Sequence, residues 1–294
     1  MRFGLNVSTS AAAGRDPVRD ARTAEALGFD FVSASDHLHG VSPTYETWTM
    51  LAWIAASTTR IGVATRVLGL PYRNPAVLAK MAETLDRLSG GRLILGLGAG
   101  ASDEEFRGFG LGVRTPREKV DGLEDAVRII KGVWTQPSFT YRGRQYHTDA
   151  AELTPKPDRR IPIWLGTFGN RALDVTGRLA DGWIPSLGHA PPEQVTVMRG
   201  RMLAAAHAAG RDPAEITCGY NVVIRLEDRA VADPGTVAGP PDVVAERLIE
   251  FARMGFSTLN LIVAGPGHDE QLERIAREVI PAVRSASGAA GGDR

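Results

Sequence analysis

Eight short apolar runs, separated by longer amphipathic stretches, restrict this chain to a small set of folds. The runs cover residues 3–7, 29–34, 61–64, 92–97, 161–165, 182–184, 216–223 and 258–263. Each is rich in Val, Ile, Leu or Phe and stops near Gly, Ser or Pro, as buried strands do. Helical patterns occupy 16–27, 74–88, 117–134, 170–180, 192–209, 241–254 and 270–283. In the first, Val18, Ala21, Ala24 and Leu27 recur at three-residue steps on one face. The second opens with Asn74-Pro75, a cap followed by a first-turn proline, and closes at Gly90-Gly91. A helix-Gly-Phe-strand junction occurs twice, at Gly28 and Gly255.

Strand-helix alternation implies a parallel sheet. Eight units, and the lack of a Gly-x-Gly-x-x-Gly loop after the first strand, favour a closed barrel over an open doubly wound sheet. The expected fold class is therefore α/β, a (β/α)8 TIM barrel with insertions, for which 294 residues is an ordinary length. One domain is expected over 1–285. Residues 137–157 read as a hairpin-like insertion, 227–240 as a polar loop and 286–294 as a flexible tail of small and polar residues.

Lys plus Arg (34) equals Asp plus Glu (34), so no basic excess points to nucleic acid. No apolar run is long enough for a membrane helix, and the N-terminus lacks a signal-peptide pattern. A cytoplasmic protein with no nucleic-acid or membrane partner is the expectation. The single cysteine, Cys218, excludes an internal disulfide and reads as core filler.

In such a barrel, chemistry lies beyond the C-terminal ends of the strands. After the second run come Asp36, His37 and His39. In the functional reading Asp36 orients His37, and His37 exchanges a proton near a reacting ring. The plainer alternative is a solvated turn capped by Asp36. A metal site has only this short motif behind it, so no metal is expected. His39, Tyr45 and Trp48 follow the same strand and are candidates for the substrate side, with helix core the alternative for Trp48. After the third run, Arg66 and Arg73 could meet anionic groups, a surface position being the plainer reading for both and the favoured one for Arg73. After the fourth, Gly98, Ala99 and Gly100 would let a flat ring or a phosphate approach the backbone. After the fifth, Gly166, Thr167, Phe168, Gly169, Asn170 and Arg171 open a helix and could cradle phosphate, against a plain cap by Asn170.

In order and spacing, GFDFVSASDH (28–37), TRIGVATRVLGLPYRNP (59–75), LSGGRLILGLGAG (88–100) and ADGW (180–183) resemble the bacterial-luciferase-like family of flavin- and deazaflavin-dependent oxidoreductases. The likeness covers nearly the whole chain, and the sequence also resembles the branch that uses coenzyme F420. It implies an insertion-bearing barrel, commonly homodimeric, that acts on a small-molecule substrate. It implies a non-proline cis peptide behind the coenzyme ring, at Ala64–Thr65, with Arg66 beside it. It places His37 at an active-site histidine of the family's sugar-phosphate dehydrogenases, Asp36 at a coenzyme contact, and 166–171 at the phosphate site. Two departures count. Ala101 stands where those dehydrogenases carry a glutamate proton donor, and Ala99 where the light-emitting members carry an arginine near the flavin phosphate. Hydride transfer between coenzyme F420 and a small organic substrate is therefore the leading expectation. The alternatives are an FMN-dependent monooxygenase fed with reduced flavin, and a coenzyme-binding barrel without activity.

Overall fold

The computed structural model describes residues 1–233 and 235–289. Eight parallel strands form the barrel: β1 (Arg2–Asn6), β2 (Phe31–Ala34), β3 (Gly62–Thr65), β4 (Leu93–Gly98), β5 (Ile163–Leu165), β6 (Gly182–Trp183), β7 (Thr217–Leu226) and β8 (Thr258–Val263). They pair in chain order, and β8 returns to β1 through Arg2↔Thr258 to Leu5↔Leu261. The two-residue β6 joins β7 through Thr217↔Gly182 and Cys218↔Trp183. The barrel is closed, and each apolar run of the sequence contributes one of its strands.

Helices α1 (Pro17–Ala26), α2 (Thr47–Ser57), α3 (Pro75–Leu88), α4 (Asp103–Gly108), α5 (Pro116–Thr135), α6 (Asn170–Leu179), α7 (Pro192–Ala208) and α8 (Pro241–Arg253) lie between the strands. The Asp16 and Asn74 side chains cap α1 and α3, and each cap is followed by proline. Gly28 and Gly255 take the left-handed φ values of 81° and 94° that let the chain leave a helix and enter the next strand at once. This accounts for the repeated helix-Gly-Phe junction.

Three features depart from the sequence reading. Helix α2 has no counterpart in the expected pattern. Its Trp-Thr-Met-Leu-Ala-Trp-Ile-Ala-Ala run is apolar on nearly all sides, so no stripe marks it, and Trp53 is exposed. A short helix, α4, follows β4. The chain end is helical further than expected: α9 (His268–Arg274) passes through a wide turn at Ile275–Val279 into α10 (Ile280–Ala289). Residues 286–289, expected to begin a tail, are thus helical, and 290–294 lie outside the described residues. In the two irregular stretches, Phe139–Arg142 pairs antiparallel with His147–Ala151, and Val231–Asp233 pairs antiparallel with Thr236–Gly239.

The barrel interior is layered. Phe31, Ala64, Ile94, Trp164 and Ile184 fill an apolar layer, with the Phe31 and Trp164 rings edge to face at 5.9 Å and the Arg2 guanidinium against both. A polar chain also crosses the interior: Ser33 Oγ donates to Asn260 Oδ1 (2.9 Å), Asn260 Nδ2 to Asn221 Oδ1 (2.8 Å), and Asn221 Nδ2 to Ser186 Oγ (3.1 Å). Cys218 is buried core, and burial pushes its thiol pKa up. Among the described residues no helix is long and apolar enough to cross a membrane.

Candidate active site

A cavity of about 470 Å³ opens at the C-terminal end of the barrel, within the range of small-molecule and cofactor sites. Its floor comes from a local irregularity in β3. Ala64 pairs with Ile94, but the next pairing joins Leu68 to Leu97 in a short strand, Leu68–Gly69. Three residues (65–67) on one side face two (95–96) on the other, so the chain bulges towards the cavity. The non-proline cis peptide lies in this bulge, at Arg66–Val67 rather than at Ala64–Thr65. Accordingly Ala64 is interior core, and Thr65 Oγ1 both donates to and accepts from the Gly96 backbone at 2.7 Å. Neither residue lines the cavity, whereas Arg66, Val67 and Gly69 do.

The glycines of β4 serve this bulge. A methyl at Gly96 would run into the Thr65 carbonyl oxygen, and one at Gly98 would lie 2.6 Å from Val67 Cγ2. A methyl at Gly100 would lie 2.5 Å from the Phe106 ring. The alternation of glycines, read from sequence as room for a ligand, is used first by the protein itself. Gly98, Ala99 and Gly100 still present their backbone to the cavity.

Asp36 and His37 both line the cavity but do not act on each other as expected. Asp36 is buried and accepts from Gly69 N (2.9 Å) and from two nitrogens of Arg73 (2.6 and 3.1 Å). Arg73, whose side chain is only 11% exposed, also bonds Glu46, which caps α2. Burial alone would lower the Arg73 pKa, but Asp36 and Glu46 raise it on balance. The surface reading of Arg73 is therefore corrected.

The partner of His37 is Glu105, from the second residue pair of α4: Nδ1 lies 2.9 Å from Oε1. Ser102 caps α4, and Phe106, one residue on, is buried with its ring 5.0 Å from that of Tyr72. Anchored in this way, α4 turns Glu105 inward, where the Tyr72 hydroxyl donates to Oε2. Burial pushes the Glu105 carboxyl up, but the hydrogen bonds from Tyr72 and His37 outweigh it and hold the pKa below the ordinary value. The Tyr72 hydroxyl is pushed up by burial and by this carboxylate. Glu105 thus brings a carboxylate to the site although Ala101 lacks one.

Arg66 is the second charge at the floor. Its Nε donates to Asn6 Oδ1 (2.8 Å). Burial lowers its pKa to about 10, and no carboxylate lies in ion-pair range among the described residues. Across the cavity stand Gly166, Thr167, Phe168 and Gly169, with Ser186 and His189, which sequence reasoning missed. The His189 ring packs at 5.6 Å on Phe168. Thr167 itself is taken up by packing, its Oγ1 2.7 Å from that of Thr176. Asn170 and Arg171 line an adjoining groove. Asn170 is not the cap of α6. Gly169 is, without any side-chain cap, so the first N–H groups of the helix have no side-chain acceptor.

The three substrate candidates fall outside the cavity lining. His39 is at the rim, its ring 6.0 Å from Phe109. Tyr45 lines a separate groove with Asp16 and Trp53. Trp48 is buried in α2 as core. Among the described residues no group of three or more His, Cys, Asp or Glu side chains is placed to hold a metal ion.

Comparison with known proteins decides the family. Residues 1–233 match the model of the luciferase-like monooxygenase family. The chain is an enzyme of this family. It is 28% identical to an F420-dependent glucose-6-phosphate dehydrogenase of Nakamurella multipartita over 98% of both chains, and 26% identical to one of Microbacterium testaceum over 97% of this chain and 98% of that one. Among solved structures, an F420-dependent secondary alcohol dehydrogenase in complex with an F420-acetone adduct superposes with a TM-score of 0.86 over 96% of this chain and 99% of that one, at 20% identity. That likeness carries the barrel fold.

Proposed function

We propose that this luciferase-like enzyme transfers hydride between coenzyme F420 and a small organic substrate. The observation that carries the reading is a proton-handling chain at the mouth of the cavity, His37–Glu105–Tyr72, set beside the bulge at Arg66–Val67. The F420-dependent relatives support the choice of coenzyme. The donor set fits it: backbone from Gly98 to Gly100 and from Gly166 to Gly169 gives a flat, uncharged wall, and the uncapped α6 suits a phosphate. When bound, the deazaflavin supplies two-electron hydride chemistry at carbon.

The chain's own residues have three tasks. Glu105, held as a carboxylate, keeps the proton of neutral His37 on Nδ1 and leaves Nε2 free to accept a proton from substrate or, once protonated, return it. Arg66 offers a fixed positive charge to an anionic oxygen of ring or substrate. Asp36 shapes the site through Gly69 and Arg73. We read the active form as a cytoplasmic homodimer, for which sedimentation equilibrium is the check.

Titration of the purified protein with coenzyme F420 and with FMN, followed by ligand fluorescence, tests the reading. Micromolar or tighter binding of the deazaflavin, with weak FMN binding, is expected. Preference for FMN, with oxygen uptake dependent on reduced flavin, would replace hydride transfer by monooxygenation.

A further inference from the structure

The polar line that crosses the barrel, from Ser33 of β2 through Asn260 of β8 and Asn221 of β7 to Ser186 beyond β6, has a fixed direction. Asn221 Nδ2 lies 3.3 Å from the Ile184 carbonyl oxygen and 3.2 Å from that of Pro185. A carbonyl can only accept, so the amide nitrogen, and not its oxygen, faces this segment. Asn221 Oδ1 then faces Asn260 and requires a donor there, which is Nδ2 at 2.8 Å. Asn260 Oδ1 in turn requires the Ser33 hydroxyl as its donor, at 2.9 Å. Both amides are buried, so solvent offers them no alternative partner.

The line ends at Ser186 Oγ, 3.1 Å from Asn221 Nδ2. An amide nitrogen has only protons to offer, so the serine oxygen accepts and its own proton is left for another acceptor. Ser186 is half-buried and lines the central cavity. Two other hydroxyls of this cavity are committed elsewhere. That of Tyr72 donates to Glu105, and that of Thr167 to Thr176, whose own proton goes to the Ala172 carbonyl. Ser186 also has a defined place beside the floor. A methyl at Gly166 would lie 3.2 Å from both γ carbons of Val67 and 3.8 Å from the Ile184 carbonyl oxygen. Gly166 thus joins the bulge to the end of β6, and a flat ring resting on Val67 and Gly166 has one edge at Ser186. We propose that Ser186 donates a hydrogen bond to an acceptor oxygen of the coenzyme ring, and that Asn221 and Asn260 are positioning residues that hold its proton towards the cavity. The inference rests on the coenzyme reading above. A deazaflavin ring carries carbonyl oxygens that suit such a contact, whereas an apolar or N–H edge at this place would leave the serine proton unpaired.

The experiment titrates wild type, S186A, S186T and the triple variant S33A/N221L/N260L with F420, and records both the Kd and the absorption maximum of the bound coenzyme. S186A should weaken binding about fivefold to tenfold, the worth of one hydrogen bond, and shift the maximum. S186T keeps the hydroxyl and should bring both back to near the wild-type values. The triple variant exchanges the whole line for apolar groups of similar shape, so that no buried amide is left unpaired, and its melting is compared with wild type. It keeps Ser186, but the Ile184 carbonyl, relieved of its donor, then competes for the serine proton, so binding should weaken about twofold to fivefold. A triple variant that melts and binds as wild type does overturns the positioning role of the amides. S186A with the Kd and absorption maximum of wild type overturns the inference and leaves the coenzyme reading standing, and this variant of a cavity-wall residue decides the matter whether or not the triple variant folds. A wild type that does not bind F420 overturns the coenzyme reading, and this inference falls with it.

Discussion

Arg73 grips Asp36 with two guanidinium nitrogens, at 2.6 and 3.1 Å, and leaves the carboxylate side chain no exposed surface. The pair joins the loop after β2 to the segment before α3. Removing one member of such a pair leaves the other charge buried and alone, which costs about 3–5 kcal/mol. Arg73→Met should therefore lower the free energy of unfolding by about that much in urea titration. Arg73→Lys keeps the charge but loses the second hydrogen bond and should fall between. A loss below about 1 kcal/mol for Arg73→Met would show that water reaches Asp36.

His37 and Glu105 give a second pair with a different signature. His37→Ala should lower turnover about 100-fold or more if the imidazole moves the proton. Glu105→Gln keeps shape and hydrogen bonding but removes the charge that fixes the imidazole, so a loss of about 10-fold to 100-fold in kcat is expected, with a changed pH profile. Asp36→Asn should instead act through stability and leave the pH profile in place. Equal pH profiles for Glu105→Gln and wild type would assign the proton transfer elsewhere.

The order of the strands was legible because a parallel barrel buries both faces of each strand, and unbroken Val, Ile and Leu runs then mark them. Asp36 and His37 were legible as cavity residues because barrel chemistry gathers after strand ends. Their partners were not. Asp36 meets Arg73 across 37 positions and His37 meets Glu105 across 68, and spacing along the chain carries no trace of either. One signal was available: Ser102-Asp-Glu-Glu-Phe106 is a helix start, with a cap, an acidic first turn and an apolar anchor. That pattern would have placed α4 over the site. Trp48 turns into the core, the alternative its place after the strand left open, because α2 carries no amphipathic stripe to show which face is inward.

Acid should weaken the contact between α5 and α6 within a defined window. Burial raises the pKa of Glu124, but hydrogen bonds from Arg178 of α6 and Arg128 of α5 prevail and bring it to about 2. A carboxyl depressed on folding contributes stability that is complete above its unfolded value, about 4.3, and lost as pH falls through the folded one. The stability difference between wild type and Glu124→Gln should thus be largest above pH 5 or so and shrink between about 4.3 and 2. A difference that stays constant through this window would mean that the arginines do not pair with Glu124 in solution.

The glycines around the cavity make opposite predictions according to what occupies the space beside them. Gly96 faces the Thr65 carbonyl and Gly98 faces Val67, whereas Gly169, at φ −76°, has nothing within 4 Å of where a methyl would sit. Gly96→Ala forces backbone against backbone and should cost about 1–3 kcal/mol, or prevent folding, because the bulge cannot move without breaking the pairing of Leu68 with Leu97. Gly169→Ala meets no clash and should cost no more than about 1 kcal/mol, the difference between Gly and Ala as a helix cap. Its added methyl stands beside both groove and cavity, so it should weaken coenzyme binding by more than this small loss of stability explains. Denaturation and fluorescence titration on the same two variants separate these effects. If Gly169→Ala bound the coenzyme as wild type does, the phosphate would have to rest away from the α6 N-terminus.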